Sequence, residues 1–191
     1  SAHGLVFITQ SLREYYDLKK PSIVVHTNGV DLGLFEELTD VSVLRHRLQL
    51  PEDKKIIMYV GSFLWHSLDV LVDISSRLPA GVVMVVVGIA GRERTNSLPQ
   101  NIIWVDRVEP KDVPQYLLAA DILINPLSIK FPSSISSKLY EYLGAGKPII
   151  STRGGANSEI LIDGENGLFV GSLDSVVFVE SIKRIFNDVA L

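Results

Sequence analysis

Short apolar runs alternate, over most of the chain, with segments whose apolar residues recur at helical spacing. After residue 54 such runs occupy positions 56–60, 82–87, 102–105, 122–124, 149–151 and 168–170. Their valine and isoleucine residues are consecutive rather than interleaved with polar ones, which is typical of parallel strands with both faces covered. The segments between several of them carry helical patterns, and the segment between the last two runs predicts a short helix at 157–162. The alternation therefore predicts an α/β fold in which helices cover both faces of a parallel sheet.

The opening part of the chain follows the same pattern less regularly. Strands are predicted at 5–8 and 23–25, and helices at 10–16 and 41–48. We predict one doubly wound, Rossmann-like domain over 1–191, with an opening segment at 1–31 and the main sheet at 54–191. Because the chain begins without methionine and its last amphipathic pattern stops soon after Phe186, we also expect a piece of a longer protein.

The segment 136–150 predicts one short helix that leads directly into a buried strand. Gly144 and Gly146 suit the end of that helix, because glycine adopts the left-handed cap conformation without steric cost. The segment follows a strand at 121–125 and a serine-rich loop at 132–137. A parallel sheet binds ligands beyond the carboxyl ends of its strands, and an uncapped helix start favours a phosphate. We therefore expect the binding site at this edge of the sheet.

Composition narrows the class of protein. The chain has 191 residues, of which 47% are hydrophobic, so it can bury a substantial core. Its formal net charge of −4 argues against a nucleic-acid binder. The absence of cysteine excludes disulfides, and the four scattered histidines show no metal-ligand spacing, so no metal is expected. No apolar run approaches the ~20 residues that span a bilayer. We expect a cytoplasmic protein.

Glu141 and Lys138 carry the candidate chemistry of the central segment. The Glu141 carboxylate could grip two vicinal hydroxyls of a ribose. The alternative, which the pattern alone favours, is a solvated helix residue paired with Lys138 or Lys147. Lys138 could neutralise a phosphate. Otherwise it is an ordinary surface lysine, although a cation in the first turn opposes the helix dipole.

Serines, a histidine and two glycines are weaker candidates. The serines that could donate hydrogen bonds to phosphate or sugar are Ser62, Ser133, Ser134, Ser136 and Ser137. Turns and helix caps use serine as well, so this signal is not specific. His66 either contacts a ligand at the sheet edge or packs under a loop. Gly88 and Gly91 lack the complete glycine fingerprint of a dinucleotide site and indicate a tight turn.

Several motifs, taken in order, resemble one known family. They are Phe7-Ile8-Thr9-Gln10-Ser11, Thr27-Asn28-Gly29-Val30-Asp31, Tyr59-Val60-Gly61-Ser62, Lys138-Leu139-Tyr140-Glu141-Tyr142-Leu143, Gly154-Gly155 and Asp163-Gly164-Glu165-Asn166-Gly167. Together they resemble the C-terminal, donor-binding domain of GT-B glycosyltransferases of the retaining family 4 type. The resemblance covers nearly the whole chain and implies half of a GT-B fold. The N-terminal domain, which would hold the acceptor, is then absent from this sequence.

The resemblance also implies a function and roles for particular residues. The whole protein would transfer a sugar from a UDP- or GDP-linked donor to an acceptor glycan or lipid-linked sugar, with retention. It would need no metal or other cofactor, would contact a membrane surface at most peripherally, and its isolated fragment would be inactive. Glu141 would bind the ribose, Arg107 and Val108 would flank the base, and Gly61 and Ser62 would lie beside the phosphates. The residues expected to face the donor sugar and diphosphate are Ser133, Ser134, Ser136, Ser137 and Lys138.

Departures from the family pattern leave alternatives open. Ser133 stands where the family often has the first of two glutamates, Ser62 where it has an arginine, and His66 where it has a lysine. We hypothesise that His66 and Lys138 partly substitute for the missing cations, and His66, Lys138 and Glu141 are the catalytic candidates. One alternative is a non-catalytic module that binds sugar nucleotides. Another is a GT-B-like sugar-nucleotide epimerase, for which no convincing pair of acid and base carboxylates is found.

Overall fold

A computed structural model describes residues 3–17, 19–25, 28–36, 40–61, 68–88, 99–127 and 135–187 of the chain. The elements, in chain order, are β1 (Leu5–Phe7), α1 (Gln10–Tyr16), β2 (Ser22–Val24), α2 (Gly33–Glu36), α3 (Val41–Arg47), β3 (Lys55–Val60), α4 (Leu68–Ser76), β4 (Val82–Val87), β5 (Ile102–Val105), a 3-10 helix (Pro110–Asp112), α5 (Val113–Ala119), β6 (Ile122–Asn125), α6 (Lys138–Gly144), β7 (Ile149–Thr152), a 3-10 helix (Gly155–Glu159), β8 (Leu168–Val170) and α7 (Ser175–Asn187).

Six parallel strands form the main sheet, in the order β5-β4-β3-β6-β7-β8. Successive residues of β3 point to opposite faces, so that Ile56 and Met58 pack in one core cluster and Ile57 and Tyr59 in the other. Helices α3, α5 and α6 contribute to the first cluster, and α4 and α7 to the second. Both faces are therefore apolar and covered, which explains the unbroken apolar runs. The predicted doubly wound α/β fold is confirmed.

The strand order creates a crevice between β3 and β6. Strand β3 pairs with β4 along all of its residues, from Lys55 to Val60. Its register with β6 involves only Ile57 with Ile122 and Met58 with Leu123. The chain winds from β3 toward β4 on one side and from β6 toward β7 on the other, so the strand order reverses here. Such a switch point is where open parallel sheets accept ligands at the carboxyl ends of their strands.

A buried ion pair fixes α3 to the opposite, amino edge of the same two strands. The Arg45 guanidinium donates to the Asp121 carboxylate (2.8 Å) and to the carbonyls of Ala119 (2.9 Å) and Lys54 (3.0 Å). Asp121 also accepts the backbone N–H of Ile56 at 2.7 Å. Burial alone would raise the pKa of Asp121, but this N–H and Arg45, helped by Lys55, lower that pKa below its ordinary value.

The opening segment forms a sheet of its own, in which β1 and β2 run parallel. Phe7 is buried, whereas apolar side chains on the other face of the two strands are exposed. Val6 is 65% exposed and its partner in the register, Ile23, is 59% exposed, and Ile8 and Val25 follow them. This second sheet, and this exposed apolar face, were not predicted from the sequence.

Glu159 joins the opening segment to the main sheet. Its carboxylate accepts hydrogen bonds from the backbone N–H groups of Gln10 and Ser11, both at 2.8 Å, and from the Ser11 hydroxyl at 2.6 Å. Thr9 caps the same helix by accepting the Leu12 N–H at 2.9 Å. The first turn of α1 thus depends on a carboxylate supplied from the far end of the chain.

Glu159→Ala is expected to speed hydrogen exchange at the Gln10 and Ser11 amides about fivefold, because losing a cap costs ~1 kcal/mol. The measurement is amide exchange by NMR. Glu14→Ala is the matched control, since Glu14 lies on the same helix and accepts only the Gln10 side chain. The Leu12 amide should change in neither variant. Unchanged exchange at Ser11 in Glu159→Ala would show that the carboxylate does not stabilise the helix.

Two details of the predicted elements are corrected. The helix expected at 157–162 is a 3-10 helix at Gly155–Glu159, which begins two residues earlier. The four-residue helix α2 was missed because a single turn shows no periodicity. Among the helices in the described ranges, none has the length and apolar character needed to cross a bilayer.

Candidate functional site

Helix α6 stands over the crevice between β3 and β6. Leu139 and Tyr142 bury its inner face, and Gly146, with a φ of 62°, ends it by donating its N–H to the Leu143 carbonyl (3.1 Å). The buried Tyr142 hydroxyl accepts the Val60 N–H (3.0 Å) and donates to the Ile124 carbonyl (3.3 Å). It therefore satisfies backbone groups that the two diverging strands would otherwise leave unpaired.

Lys138, the first residue of α6, lies mostly buried at the mouth of this crevice. Its Nζ donates to the Tyr59 hydroxyl at 3.3 Å and lies 4.6 Å from the centre of the Tyr59 ring. Burial lowers the pKa of Lys138 to about 8, and the nearby Glu141 partly opposes this shift. Burial disfavours the ammonium form of Lys138, and an anionic ligand bound next to it would stabilise that form.

Gly61, at the end of β3, leaves room for that lysine. A Cβ at Gly61 would lie 2.9 Å from Lys138 Cε, and the residue has a φ of 141°. Gly88, at the end of β4, also has a positive φ, and a Cβ there would lie 3.1 Å from the Gly61 carbonyl oxygen. The two strand ends therefore approach closely because both residues are glycine. Gly91 lies outside the described residues.

Glu141 lies one turn after Lys138 and is half-buried, not solvated as the pattern alone favoured. Burial raises the pKa of its carboxyl, and Lys138 partly lowers it. Within the part of the chain that is described, no hydrogen bond to another side chain is found for this carboxylate. Both of its oxygens can therefore accept hydrogen bonds from a ligand.

The residues before α6 are held by buried amides. The Ser136 N–H donates to Asn157 Oδ1, and the Ser136 hydroxyl donates to Asn125 Oδ1, both at 3.1 Å. Both asparagines donate in turn to Ser151 Oγ, from Asn125 at 3.0 Å and from Asn157 at 3.4 Å. Ser137, in contrast, is exposed and its side chain does not cap α6.

The structure brings some of the predicted site residues together. Lys138 lies against Gly61 at the mouth of the crevice, Glu141 follows one turn later on the same helix, and Ser136 and Ser137 lead into that helix. Arg107 and Val108 follow β5, which lies two strands away from β3 in the sheet. Val108 packs against the core, whereas Arg107 is exposed. The predicted residues Ser62, His66, Ser133 and Ser134 lie outside the described residues, so their roles stay predictions.

Sequence reasoning missed the residues that support this arrangement. Tyr59 was one member of an apolar run, and Tyr142 one residue of an amphipathic helix. Asn125 closed a predicted strand, and Asn157 was taken for a residue near the start of a helix. An asparagine or tyrosine at the end of an otherwise apolar run was the available signal, because a buried polar group needs partners.

Comparison with known proteins gives a family match. The family described as Glycosyl transferases group 1 matches residues 54–188. The lipopolysaccharide core biosynthesis glycosyltransferase LpsE of Rhizobium meliloti is 30% identical in an alignment that covers 88% of this chain and 55% of that protein. The D-inositol 3-phosphate glycosyltransferase of Corynebacterium aurimucosum is 26% identical in an alignment that covers 94% of this chain and 47% of that protein. The chain spans about half the length of these relatives.

Solved structures share the fold. Sucrose-phosphate synthase from Thermosynechococcus elongatus superposes with a TM-score of 0.82 at 21% identity, over 98% of this chain and 50% of the other. Anabaena HepE in complex with UDP superposes with a TM-score of 0.84 at 19% identity, over 99% of this chain and 55% of the other. At these identities the likeness concerns the fold alone.

Proposed function

Because the chain belongs to the group 1 glycosyl transferases, we propose that it is the donor-binding part of a hexosyltransferase, and that the crevice between β3 and β6 holds the sugar nucleotide. The observation that carries this proposal is the position of Lys138 against Gly61 at the strand-order switch point, with Glu141 one turn later on the same helix. A cation and a carboxylate one helical turn apart suit a ligand that combines a diphosphate with vicinal hydroxyls.

Glu141 is proposed to hold the ribose. A carboxylate accepts two hydrogen bonds at once, one from each of two neighbouring hydroxyls. Its half-buried position strengthens these bonds, because little water competes for the oxygens. Lys138 one turn earlier favours the ionised form of this carboxyl, since its charge opposes the rise in pKa that burial causes.

Lys138 is proposed to bind the diphosphate and to stabilise it as the leaving group. Negative charge grows on the nucleoside diphosphate as the bond to the sugar breaks, and a preorganised cation stabilises that charge. His66 is proposed to assist, since it stands where the family pattern has a lysine, and no metal is then required. Ser62, Ser133 and Ser134 are proposed to contact the phosphates and the donor sugar, and Arg107 and Val108 to flank the base.

The donor and the acceptor are proposed from the relatives. The HepE structures contain UDP or UDP-glucose, so a UDP-linked hexose is the first donor to test, with GDP-linked sugars second. Transfer with retention to a glycan or lipid-linked sugar, by an enzyme that works in the cytoplasm, completes the proposal. Acceptor binding is assigned to a part of the protein that this chain does not contain.

Calorimetric titration of the chain with UDP and GDP tests the proposal. Glu141→Ala should weaken binding of the preferred nucleotide roughly 10- to 100-fold, because hydrogen bonds to a charged group are worth ~1.5–3 kcal/mol. Glu180→Ala, which removes an exposed carboxylate on α7, is the matched control and should bind like the unmodified chain. Failure of both nucleotides to bind, or undiminished binding by Glu141→Ala, would contradict the proposal.

A non-catalytic binding module is the second candidate. The observation that favours it is the serine at positions 62 and 133, where the family pattern has an arginine and a glutamate. Both candidates bind the nucleotide, so the test is turnover. Release of UDP or GDP from a sugar nucleotide by the whole protein with an acceptor supports the transferase, and binding without release supports the module.

A further inference from the structure

Two buried asparagines from separate elements hold a single residue, Ser136. Asn125 closes β6 and Asn157 lies in the 3-10 helix after β7, and neither side chain is exposed to solvent. Asn157 accepts a hydrogen bond from the Ser136 N–H and Asn125 accepts one from the Ser136 hydroxyl, each at 3.1 Å. Ser151, also fully buried, accepts from both amides and donates to the Thr152 carbonyl at 3.1 Å.

The network fixes the orientation of the Asn157 amide. The Ser136 N–H can only donate, so Asn157 must present its oxygen to that group and its nitrogen to Ser151. Turning this amide over would place its nitrogen against the Ser136 N–H and leave that donor without an acceptor, which costs free energy. The backbone of Ser136 is therefore fixed relative to both β6 and β7.

We infer that Asn157 is a positioning residue for Lys138, an inference that rests on the proposed function. Only Ser137 separates Ser136 from Lys138, so a displacement at Ser136 moves the start of α6. The ammonium of Lys138 has a narrow place, between the Tyr59 hydroxyl at 3.3 Å and the backbone of Gly61. Asn157 itself is fully buried, so it acts on nucleotide binding through this lysine and not by direct contact.

A double-mutant cycle on UDP binding, or on GDP binding if GDP binds more tightly, separates positioning from simple loss of stability. Asn157→Ala should weaken nucleotide binding roughly tenfold in the natural chain, a loss of about one hydrogen bond's worth of ligand stabilisation. In a Lys138→Met background the same change should weaken binding less than about twofold, because the group that Asn157 positions is gone.

Thr152→Val is the matched control for stability. It removes a buried hydroxyl that donates to the Leu127 carbonyl at 2.8 Å, on the same strand as Ser151, yet touches neither Asn157 nor Ser136. We expect it to lower the thermal midpoint as Asn157→Ala does, and its effect on binding to be the same with and without Lys138. If Asn157→Ala does not fold, Ser136→Ala, which releases only the Asn125 contact, should show the same dependence on Lys138 with about a threefold loss.

The outcomes separate the inference from the proposed function. Effects of positions 157 and 138 that add, or an Asn157→Ala loss no larger than that of Thr152→Val, would overturn the inference while nucleotide binding by the natural chain still supports the proposed function. Absence of binding by the natural chain would overturn both.

Discussion

Asp121→Ala is expected to lower the free energy of unfolding by about 3–5 kcal/mol. The carboxylate accepts hydrogen bonds from the Arg45 guanidinium on α3 and from the Ile56 N–H on β3, so it joins these two elements. Removing it leaves the buried Arg45 charge without its counter-ion, and an uncompensated buried charge is far more costly than a lost surface contact. Chemical denaturation followed by circular dichroism measures the change.

Two further variants show that the effect comes from the buried charge. Lys55 is the third partner of Asp121, and the Lys55 side chain is 59% exposed. Lys55→Met should therefore cost at most about 1 kcal/mol. The double variant Arg45→Met with Asp121→Leu should be more stable than Asp121→Ala, since neither charge is then left buried alone. A cost for Asp121→Ala no larger than that for Lys55→Met would contradict this account.

The same pair predicts a pH dependence of stability. The pKa of Asp121 in the folded chain lies below its ordinary value of 3.8, so the folded state binds this proton less readily than the unfolded state does. The stability contributed by the carboxylate is therefore present above pH ~4 and is lost as the pH falls through the lower, folded pKa. The Asp121→Ala chain should lack this part of the acid-induced loss.

Nucleotide affinity should fall about tenfold between pH 7 and pH 9, the second large effect that we expect. The pKa of Lys138 in the unliganded chain is about 8, so the charged fraction of this lysine drops by that factor over the range. Only the ammonium form attracts the diphosphate, and a bound anion raises the pKa of the lysine, so binding above pH 8 requires uptake of a proton. Calorimetry at several pH values, in buffers of different ionisation enthalpy, measures both the affinity and this uptake.

Lys138→Met is the control for this prediction. Ionisation of the nucleotide itself affects both chains alike, so the ratio of their dissociation constants isolates the lysine. The dissociation constant of the variant divided by that of the natural chain should shrink from pH 7 to pH 9, because the natural chain loses the charge that the variant never had. A ratio that stays constant would mean that Lys138 does not bind the phosphates.

The fold was predictable because its main signal is local. The strands of the main sheet are short, mostly apolar runs such as the valine-rich β4, and the end of α6 is marked by a glycine that the backbone needs at φ 62°. The pairing of β1 with β2 in a separate sheet was not predictable, because alternating runs do not state which strands are neighbours. The helix predicted at 157–162 is a 3-10 helix that begins two residues earlier, and its Asn157 turns a polar side chain into the interior where the pattern suggests solvent.

The candidate site was predictable in its residue types but not in its support. Lys138 and Glu141 lie one turn apart in any helix, so their proximity follows from the sequence. The crevice beneath them depends on β6 lying beside β3, which is a property of the strand order. Tyr59 is the partner of Lys138 only because the sheet carries it there, and no spacing along the chain indicates a contact between residues so far apart.

The exposed face of β1 and β2 has a practical consequence for purification. The exposed apolar side chains on this face are Val6, Ile8, Ile23 and Val25. Among the described residues, neither outer edge of the two strands has a neighbouring strand. Such a surface promotes self-association as the protein is concentrated. Polar replacements there, such as Val6→Lys with Ile23→Thr, should keep concentrated stocks monodisperse and leave the crevice between β3 and β6 unaltered.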